Sequence, residues 1–391
     1  MTAEPHEETS VVHEPSDEFV ESTNVWEFMQ EYDIDDYEDL LETTNSDIEW
    51  FWDELVEYLD VEFYEDYDTI RNDAAGPQFS EWYDGGKINI AHNAVDRHAD
   101  VGSETRNKVA CIWESEQGDV RELTFHELHR QSNKVANALE ERGIETGDTV
   151  GLYMPMVPEV TSILYGCFKI GAIAVPIFSG FGVDATATRI ADSECSVLFT
   201  GDGFSRRGSE ITLKGTADDA IEEAGYVEHT IVFDRLGAEI PWNDGRDEWW
   251  DDAVETQDDA YDTKALDSNQ ESMLLYSSGT TGTPKGIVHT HAGVQMQTAK
   301  EIYFGFDHKP EDRFFWVSDI GWMMGPWMLI GNHTFGGTIF MYEGAPDYPN
   351  PDRYWEMIDR HRLTAFGISP TAIRALRSTV TSGSTPTTSR R

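Results

Sequence analysis

The stretch that decides the fold, residues 273–291, reads MLLYSSGTTGTPKGIVHTH. Its first four residues are apolar and predict a buried strand that ends at the edge of a sheet. A loop of small, hydroxylated and glycine residues follows, with one lysine, Lys285, near its end. Glycines let backbone N–H groups approach an anion, hydroxyls add donors, and Lys285 adds a positive charge. The loop therefore suits a polyphosphate, although solvated surface turns have the same composition.

The order of residues in this loop narrows its interpretation. It is not a Walker A loop, because Lys285 is followed by Gly286 and an apolar, strand-like run and not by Ser or Thr opening a helix. Ser-Gly-Thr-Thr-Gly-x-Pro-Lys-Gly after an apolar strand resembles the signature of the AMP-forming adenylate synthetases, which include acyl-CoA synthetases, peptide-synthetase adenylation domains and luciferases. The resemblance implies catalytic roles for Thr280 and Lys285. It implies ATP phosphate binding by Ser277, Ser278, Gly279, Thr280, Thr281, Gly282 and Lys285.

Length and composition fit a cytoplasmic protein. The chain has 391 residues, enough for a large α/β domain, and 39% hydrophobic content with 12 tryptophans excludes wholesale disorder. No apolar run is long enough to span a bilayer and no signal peptide is apparent, so we expect no membrane association. The cysteines Cys111, Cys167 and Cys195 lack metal-ligand spacing and are predicted to be reduced core residues. We therefore predict no metal site in this chain.

Charge is the most unusual feature of the composition. The formal net charge is -46, with 9 lysines against 19 arginines, and acidic residues occur along the whole length. Such a charge repels nucleic acid, so we expect no nucleic-acid partner. It fits an acidic surface for a basic partner or a solubility strategy in a salt-rich cytoplasm, where screening makes self-repulsion tolerable. Its even spread and the scarcity of lysine favour the second interpretation, a halophile protein. The sequence does not determine the oligomeric state.

The chain divides into four segments. Residues 1–22 form an acidic leader with few large apolar residues, which we expect to be disordered. Residues 23–100 are also acidic, but aromatic residues recur at helical spacing, so these helices are predicted to pack on the main body; a partner-binding amphipathic segment is the alternative. Residues 101–377 alternate between strand and helix patterns, and residues 378–391 form a low-complexity tail.

The alternating pattern predicts an α/β fold. A capping box at Thr124 and Glu127 starts the first helix of this region. The predicted helices are 125–140, 158–170, 184–193, 217–224, 292–302, 326–333, 353–362 and 370–376. The predicted strands are 149–155, 172–178, 196–202, 230–234, 313–319, 338–342 and 363–368. This alternation predicts parallel sheets with right-handed crossovers, and residues 236–270 are predicted to be a surface excursion.

The resemblance extends well beyond the loop. Family-like motifs occur in family order at MPMVPE 154–159, FSGF 178–181, DIGW 319–322 and SPTAIRAL 369–376. The lead-in at 79–100 and YEGAP 342–346 resemble the acetate or short-acyl branch, the acetyl-CoA synthetases. The resemblance implies the N-terminal, AMP-binding domain of an adenylate-forming enzyme, with parallel-rich sheets and flanking helices. It further implies that this domain is incomplete and that the C-terminal lid domain is absent.

The implied reaction has two steps. A carboxylate and Mg²⁺-bound ATP give acyl-adenylate and pyrophosphate, and CoA then displaces AMP. By resemblance, the acyl pocket is formed by Trp322, Met323 and Met324, and CoA is bound by Phe178, Ser179, Gly180 and Arg206. Family members often have a second arginine where Ser209 stands, and smaller residues than Met323 and Met324. Because methionine adapts to varied apolar shapes, propionyl-sized or longer acyl groups remain possible beside acetate.

Two groups of histidines receive a structural interpretation. The run Asn93-Ala-Val-Asp96-Arg97-His98 matches the family lead-in; a metal site is conceivable there, but a hydrogen-bonded surface helix is the favoured interpretation. His289 and His291 alternate on a predicted strand and are expected to be structural.

The tail after Leu376 departs from the family pattern. One allowed codon spelling of residues 378–391, read in a shifted frame, gives an acidic sequence that resembles the family's continuation. We therefore expect a single-base slip after codon 377 and a truncated chain that does not complete turnover. The alternative is a non-catalytic remnant that binds nucleotide or CoA. An adenylation domain serving a carrier protein is disfavoured by the acetyl-CoA synthetase-like lead-in.

Overall fold

The computed structural model describes residues 14–277 and 284–380. Its helices are α1 Asp17–Val20, α2 Asn24–Glu31, α3 Tyr37–Ser46, α4 Ile48–Tyr58, α5 Arg97–Ala99, α6 Phe125–Glu141, α7 Glu159–Ile170, α8 Val183–Ser193, α9 Lys214–Ala224, α10 His291–Lys300, α11 Met324–Thr334, α12 Arg353–His361 and α13 Pro370–Val380. Short π-helical segments lie at His92–Asp96, Asp251–Glu255 and Glu301–Gly305, and a 3₁₀ turn at Pro77–Phe79. No helix among these described residues is both long and apolar enough to cross a bilayer.

The strands alternate with the helices over most of the chain. They are β1 Thr69–Asn72, β2 Glu81–Asp84, β3 Lys87–Ile88, β4 Val109–Ser115, β5 Val120–Thr124, β6 Thr149–Tyr153, β7 Ile173–Pro176, β8 Val197–Gly201, β9 Gly203–Arg206, β10 Ser209–Thr212, β11 His229–Phe233, β12 Asp247–Trp249, β13 Leu266–Asp267, β14 Glu271–Ser277, β15 Lys285–Thr290, β16 Arg313–Trp316, β17 Thr338–Glu343 and β18 Ala365–Gly367. Every strand and helix predicted from the alternating pattern is present within a few residues, which confirms the α/β class.

Seven of the described strands form the larger sheet. Their order is β12-β11-β8-β6-β7-β14-β15, and all neighbours are parallel except β14 and β15, which are antiparallel. The inner strands β6, β7 and β8 are short apolar runs with almost every residue buried, as expected for parallel strands covered on both faces. The predicted strand of the phosphate loop is β14, one place from the sheet edge.

Five further strands form a second sheet, in the order β18-β16-β17-β4-β5. Only the pair β4 and β5 is antiparallel among its described neighbours. The strand predicted at 313–319 ends earlier, at Trp316, so residues 317–323 form an irregular connection to α11. Likewise, β7 ends at Pro176, and residues 177–182 form a loop that leads to α8. These two connections build the site described below.

Helices α6 and α7 pack tightly between the sheets. The predicted capping box is confirmed: Thr124 and Glu127 exchange hydrogen bonds, and those bonds hold the pKa of the Glu127 carboxyl below its usual range. On α7, a Cβ at Gly166 would lie 2.5 Å from a methyl carbon of Val135 on α6. Only a residue without a side chain allows the two helices to approach this closely.

The acidic N-terminal helices pack on the main body, as predicted. Phe28 on α2 lies with its ring 5.4 Å from that of Phe304, and Tyr58 on α4 lies 5.9 Å from Tyr303. Leu55 belongs to the same buried cluster, together with Met296 of α10. The described part of the predicted leader contains the single helical turn α1, which buries no residue; residues 1–13 lie outside the described part.

Three predictions about local structure need correction. The 92–98 segment is not a surface helix, because Asn93 and His98 are buried, and burial lowers the pKa of His98 to about 3. His291 is not on the strand with His289 but is the first residue of α10, fully buried. Residues 236–270 are not only a surface excursion, because they include β12, the outermost strand of the larger sheet.

Candidate active site

The predicted phosphate loop lies between two paired strands. β14 ends at Ser277 and β15 begins at Lys285, and these two residues are paired across the strands. The two predicted residues therefore stand at the two ends of the loop. Lys285 is exposed to solvent. The other predicted phosphate-binding residues, Ser278, Gly279, Thr280, Thr281 and Gly282, lie outside the described residues. The roles assigned to all seven remain predictions.

The residue before this loop, Tyr276, is fixed to helix α8. Its hydroxyl donates to Asp192 at 2.7 Å, and the guanidinium of Arg189 lies 5.2 Å from its ring centroid. The same guanidinium lies 4.2 Å from the ring of Phe181, and Arg189 is only 6% exposed. Arg189 thus packs between Tyr276, near the end of β14, and Phe181, in the loop that follows β7.

The loop after β7 forms one wall of a cavity. Phe178 and Phe181 pack edge to face at 5.2 Å, and both rings pack against Trp322, at 5.6 and 6.1 Å. Phe178, Ser179 and Gly180, predicted for CoA binding, all line the cavity. The structure therefore brings the predicted CoA residues beside the predicted acyl residue Trp322.

Asp319 lies between these two groups. Its carboxylate accepts a hydrogen bond from the Ser179 hydroxyl at 2.6 Å and one from the Gly321 backbone N–H at 2.8 Å. Burial raises the pKa of Asp319 to about 6, against the opposing effect of the hydrogen bonds from Ser179 and Gly321. Asp319 is therefore a buried carboxyl group whose pKa lies well above the ordinary value for an aspartate.

Arg206 also lines the cavity. It ends β9, is exposed, and donates to the Gly344 carbonyl at 3.4 Å. The turn after it is held by Glu116, which accepts the backbone N–H groups of Arg207 and Gly208, each at 2.8 Å. Ser209 lies directly opposite Arg206 on β10, so no second arginine stands at that position.

The three predicted acyl-pocket residues have different environments. Trp322 lines the cavity and is 43% exposed. Met324 starts α11 and also lines the cavity. Met323 is not a cavity residue but packs against the main hydrophobic core.

The cavity has a volume of about 750 Å³ and combines apolar and polar side chains. Six of the seven residues predicted for acyl or CoA binding line it, namely Phe178, Ser179, Gly180, Arg206, Trp322 and Met324. Its floor includes two further methionines, Met156 and Met328, whose sulfur atoms accept backbone N–H groups of Ile320 at 3.3 Å and Trp316 at 3.2 Å. A mainly apolar cleft with a few convergent polar groups is typical of a small-molecule site.

Sequence reasoning missed part of this site. Asp319 and Met156 lie in the family-like motifs 319–322 and 154–159, but the sequence predicts no role for either, and it gives no indication of Arg189 or Met328. An acidic residue directly after a predicted strand and before Gly-Trp was the signal for Asp319. No signal in the sequence points to Arg189, because its aromatic neighbours are distant along the chain.

Metal coordination was tested on the side chains. Within residues 14–277 and 284–380, no group of three or more His, Cys, Asp or Glu residues is placed to hold a metal ion. We therefore assign no Mg²⁺ ligand in the described part of the chain.

Comparison with known proteins identifies the family. The AMP-binding enzyme family matches residues 97–389, well over half of the chain. The chain belongs to this family. A second match, to the acetyl-coenzyme A synthetase N-terminus, covers residues 37–94, which contain the acidic helices α3 and α4.

Individual relatives agree with the family match. The acetyl-coenzyme A synthetase of Chlorobaculum tepidum is 41% identical over 343 residues, which are 88% of this chain and 51% of that protein. The acetyl-coenzyme A synthetase of Methanothrix thermoacetophila is 38% identical and covers 95% of this chain and 56% of its own length. Among solved structures, acetoacetyl-CoA synthetase from Streptomyces lividans superposes with a TM-score of 0.85 at 28% identity. That match covers 93% of this chain and 56% of the other. The chain thus spans about half the length of these AMP-binding relatives.

Proposed function

We propose that this chain forms the substrate-binding part of an AMP-forming ligase that joins acetate, or another short-chain carboxylate, to CoA. The carboxylate would react with ATP to give acyl-adenylate and pyrophosphate, and CoA would then displace AMP. Family membership and relatives named acetyl-coenzyme A synthetase support this reaction. Both steps build negative charge on phosphoryl or carbonyl oxygens, which fixed donors stabilise.

The observation that carries the proposal is the shared cavity. Phe178–Gly180 and Arg206 on one side, and Trp322 and Met324 on the other, line one space of about 750 Å³. These residues come from distant parts of the chain. A ligase of this kind must bring the acyl group into contact with the thiol of CoA. A cavity that joins both predicted subsites supports transfer between them.

We assign phosphate binding to the loop between β14 and β15. Lys285, exposed at one end of the loop, would contribute a positive charge, and Ser277 at the other end would contribute a hydroxyl. The intervening Ser278, Gly279, Thr280, Thr281 and Gly282 would supply backbone and hydroxyl donors. Mg²⁺ would enter with ATP, and no step here is assigned to it.

The acyl group is proposed to lie against Met324 and Trp322. Both methionines are half-buried and pack against the main hydrophobic core, but of the two Met324 also lines the cavity, so chain length would be set by Met324 and not by Met323. A flexible methionine accommodates groups of different length, so propionate is included with acetate among the proposed substrates.

A salt-rich cytoplasm is the proposed setting. A net charge of -46 repels itself strongly at low salt, and molar salt shortens the range of that repulsion to about 3 Å. Assays of this chain therefore belong in molar KCl.

The deciding experiment is acetate-dependent exchange of pyrophosphate into ATP in molar KCl. Exchange requires an assembled adenylation site, because only such a site reverses acyl-adenylate formation. The alternative, a non-catalytic nucleotide- or CoA-binding chain, predicts ATP or CoA binding by calorimetry without exchange. Exchange by this chain would support the ligase reaction, binding of ATP or CoA without exchange would support the alternative, and absence of both would contradict the proposed function.

A further inference from the structure

Two walls of the cavity meet at backbone contact. One wall is the loop 177–182 after β7, and the other is the connection 317–323 after β16. A Cβ at Gly321 would lie 2.2 Å from the backbone nitrogen of Phe178, so the two segments touch without a side chain between them. Contact this close requires glycine at position 321.

A single buried carboxylate holds the two walls together. Asp319 is 8% exposed and accepts Ser179 Oγ–H from the first wall at 2.6 Å, while its other oxygen accepts the Gly321 N–H of the second wall at 2.8 Å. Hydrogen bonds to an ionised acceptor are about twice as strong as neutral ones. The Gly321 bond lies within the second wall, so the two walls are joined by the charge-assisted bond from Ser179, close to the point of backbone contact.

The rings that form the cavity mouth depend on this junction. Phe178 precedes Ser179 in the chain and Trp322 follows Gly321, so both rings are direct neighbours of residues bonded to Asp319, and their centroids lie 5.6 Å apart. Phe181 completes the group, and its carbonyl is fixed by the Tyr153 hydroxyl at 2.7 Å. Trp322 remains 43% exposed and is the outermost ring.

We infer that Asp319 is a positioning residue that holds Phe178–Gly180 against Trp322. Its ionised carboxylate keeps these residues, which are predicted to bind CoA, in their binding geometry. This inference rests on the proposed function for its ligand, CoA, but not for the junction itself. Asp319 acts through Ser179 and Gly321 and is not assigned to the chemistry.

The junction is expected to weaken at acidic pH. The pKa of Asp319 is raised by burial to about 6, so the carboxylate is ionised above that pH and gains a proton below it. The charged or titratable groups facing it are Arg206 of β9, whose charge favours ionisation, and Tyr153 of β6, whose own pKa is raised to about 12 by burial and stays protonated. A protonated carboxyl has fewer acceptor positions, so the Ser179 and Gly321 bonds weaken as pH falls.

The first test needs no ligand. Amide hydrogen exchange is measured on the wild-type chain and Asp319→Asn in molar KCl, between pH 5 and 8 and corrected for intrinsic rates. Asp319→Asn keeps the size of the side chain but removes its charge. We expect peptides covering 177–182 and 319–325 to lose about tenfold protection at pH 7.5, while β6 peptides keep theirs. In the wild type the same loss should appear only below about pH 6.

The second test measures CoA binding by calorimetry. Asp319→Asn and Ser179→Ala should each weaken binding about tenfold at pH 7.5, and the double variant should be no weaker than either. Ser318→Ala is the comparison, because Ser318 lines the same cavity but its hydroxyl donates to the backbone carbonyl of Asp319, at 3.3 Å, and not to the carboxylate. Its effect should add to that of Asp319→Asn. Protonation of CoA itself changes the affinity of all variants equally. The difference in CoA affinity between wild type and Asp319→Asn should therefore become smaller as the pH falls towards 5.

The outcomes separate the inference from the proposed function. Unchanged protection of both walls in Asp319→Asn overturns the junction. Lost protection with unchanged CoA affinity overturns the positioning role. Lost protection together with a wild-type chain that does not bind CoA contradicts the proposed function and leaves the junction standing.

Discussion

Lys214 and Asp247 form an ion pair, Nζ to Oδ2 at 2.7 Å, in which neither side chain is exposed to solvent. Lys214 is the first residue of α9, and Asp247 is the first residue of β12. Arg246 and Asp218 complete the group, with Arg246 Nε 2.7 Å from Asp247 and Lys214 Nζ 2.7 Å from Asp218. The pair therefore anchors the edge strand β12, and with it part of the predicted surface excursion, to the body of the protein.

Removing one partner should destabilise the fold strongly. Lys214→Met leaves the buried Asp247 with Arg246 and the Asn243 backbone N–H as partners, and we expect a loss of about 3 kcal/mol in the free energy of unfolding. Urea unfolding in molar KCl measures it. The control is Lys264→Met, which breaks a solvent-exposed pair with Glu140 of similar length, 2.9 Å, and should cost at most about 1 kcal/mol. Equal losses for the two variants would contradict the role of the buried pair.

The same group predicts a pH dependence. Burial by itself raises the pKa of Asp247, but hydrogen bonds from Arg246 and Lys214 outweigh it and hold the pKa below its usual range. A carboxylate with a lowered native pKa stabilises the fold above its unfolded pKa of about 3.9, and this stabilisation disappears as pH falls through the native value. The difference in unfolding free energy between wild type and Asp247→Asn should therefore be full at pH 6 and shrink below pH 4. A difference that grows on acidification would contradict this assignment.

Salt should stabilise the chain through screening. With a net charge of -46, the folded state repels itself, and the screening length falls from about 10 Å at 0.1 M to about 3 Å at 1 M salt. We expect the melting temperature to rise by several degrees between 0.1 and 2 M KCl, measured by circular dichroism. Sucrose at matched osmolality is the control, because it adds preferential exclusion without screening. A rise of equal size in sucrose would show that charge is not the cause.

The elements were predictable because each has a local signal. The capping box of Thr124 and Glu127, the apolar runs of the inner strands and the strand-loop pattern at β14 all lie within short windows of sequence. The same holds for the motifs that placed Phe178 and Trp322 in the site. These local signals do not determine which strands pair with each other. Nothing in a short window of sequence indicates that β14 lies beside β7 or that β12 joins the larger sheet.

The missed features depend on contacts between distant residues. Ser179 and Asp319 are 140 positions apart, and their hydrogen bond exists only because two sheets meet at the cavity. Met323 and Met324 look equivalent in the sequence and both pack against the main core, yet of the two it is Met324, the first residue of α11, that lines the cavity. His98 was assigned to the surface because its partner, the Thr334 carbonyl at 3.0 Å, is equally remote.

Lys285 should control the affinity for ATP. It is exposed at the end of the phosphate loop, and loss of a charged hydrogen bond costs about 1.5–3 kcal/mol, or roughly 10- to 100-fold in Kd. Calorimetric titration of Lys285→Ala with ATP should show this weakening, and Lys285→Arg should retain part of the affinity. Lys87→Ala, which removes a partly exposed lysine of β3 that pairs with Glu65, is the control and should bind ATP like the wild type. Unchanged affinity in Lys285→Ala would remove Lys285 from the phosphate site.

Met324 should set acyl length, and Met323 should not. Stable alkyl esters of AMP, from ethyl to butyl, report on the pocket without requiring turnover. Met324→Ala enlarges the cavity beside Trp322, so each added methylene that becomes buried should gain about 0.8 kcal/mol, or about fourfold in affinity, relative to the wild type. Met323→Ala removes the same side chain at the neighbouring position, which packs against the core without lining the cavity, and should lower the unfolding free energy without changing the order of ester affinities. If both variants change the preference for ester length equally, Met324 does not limit the acyl group, which then lies elsewhere.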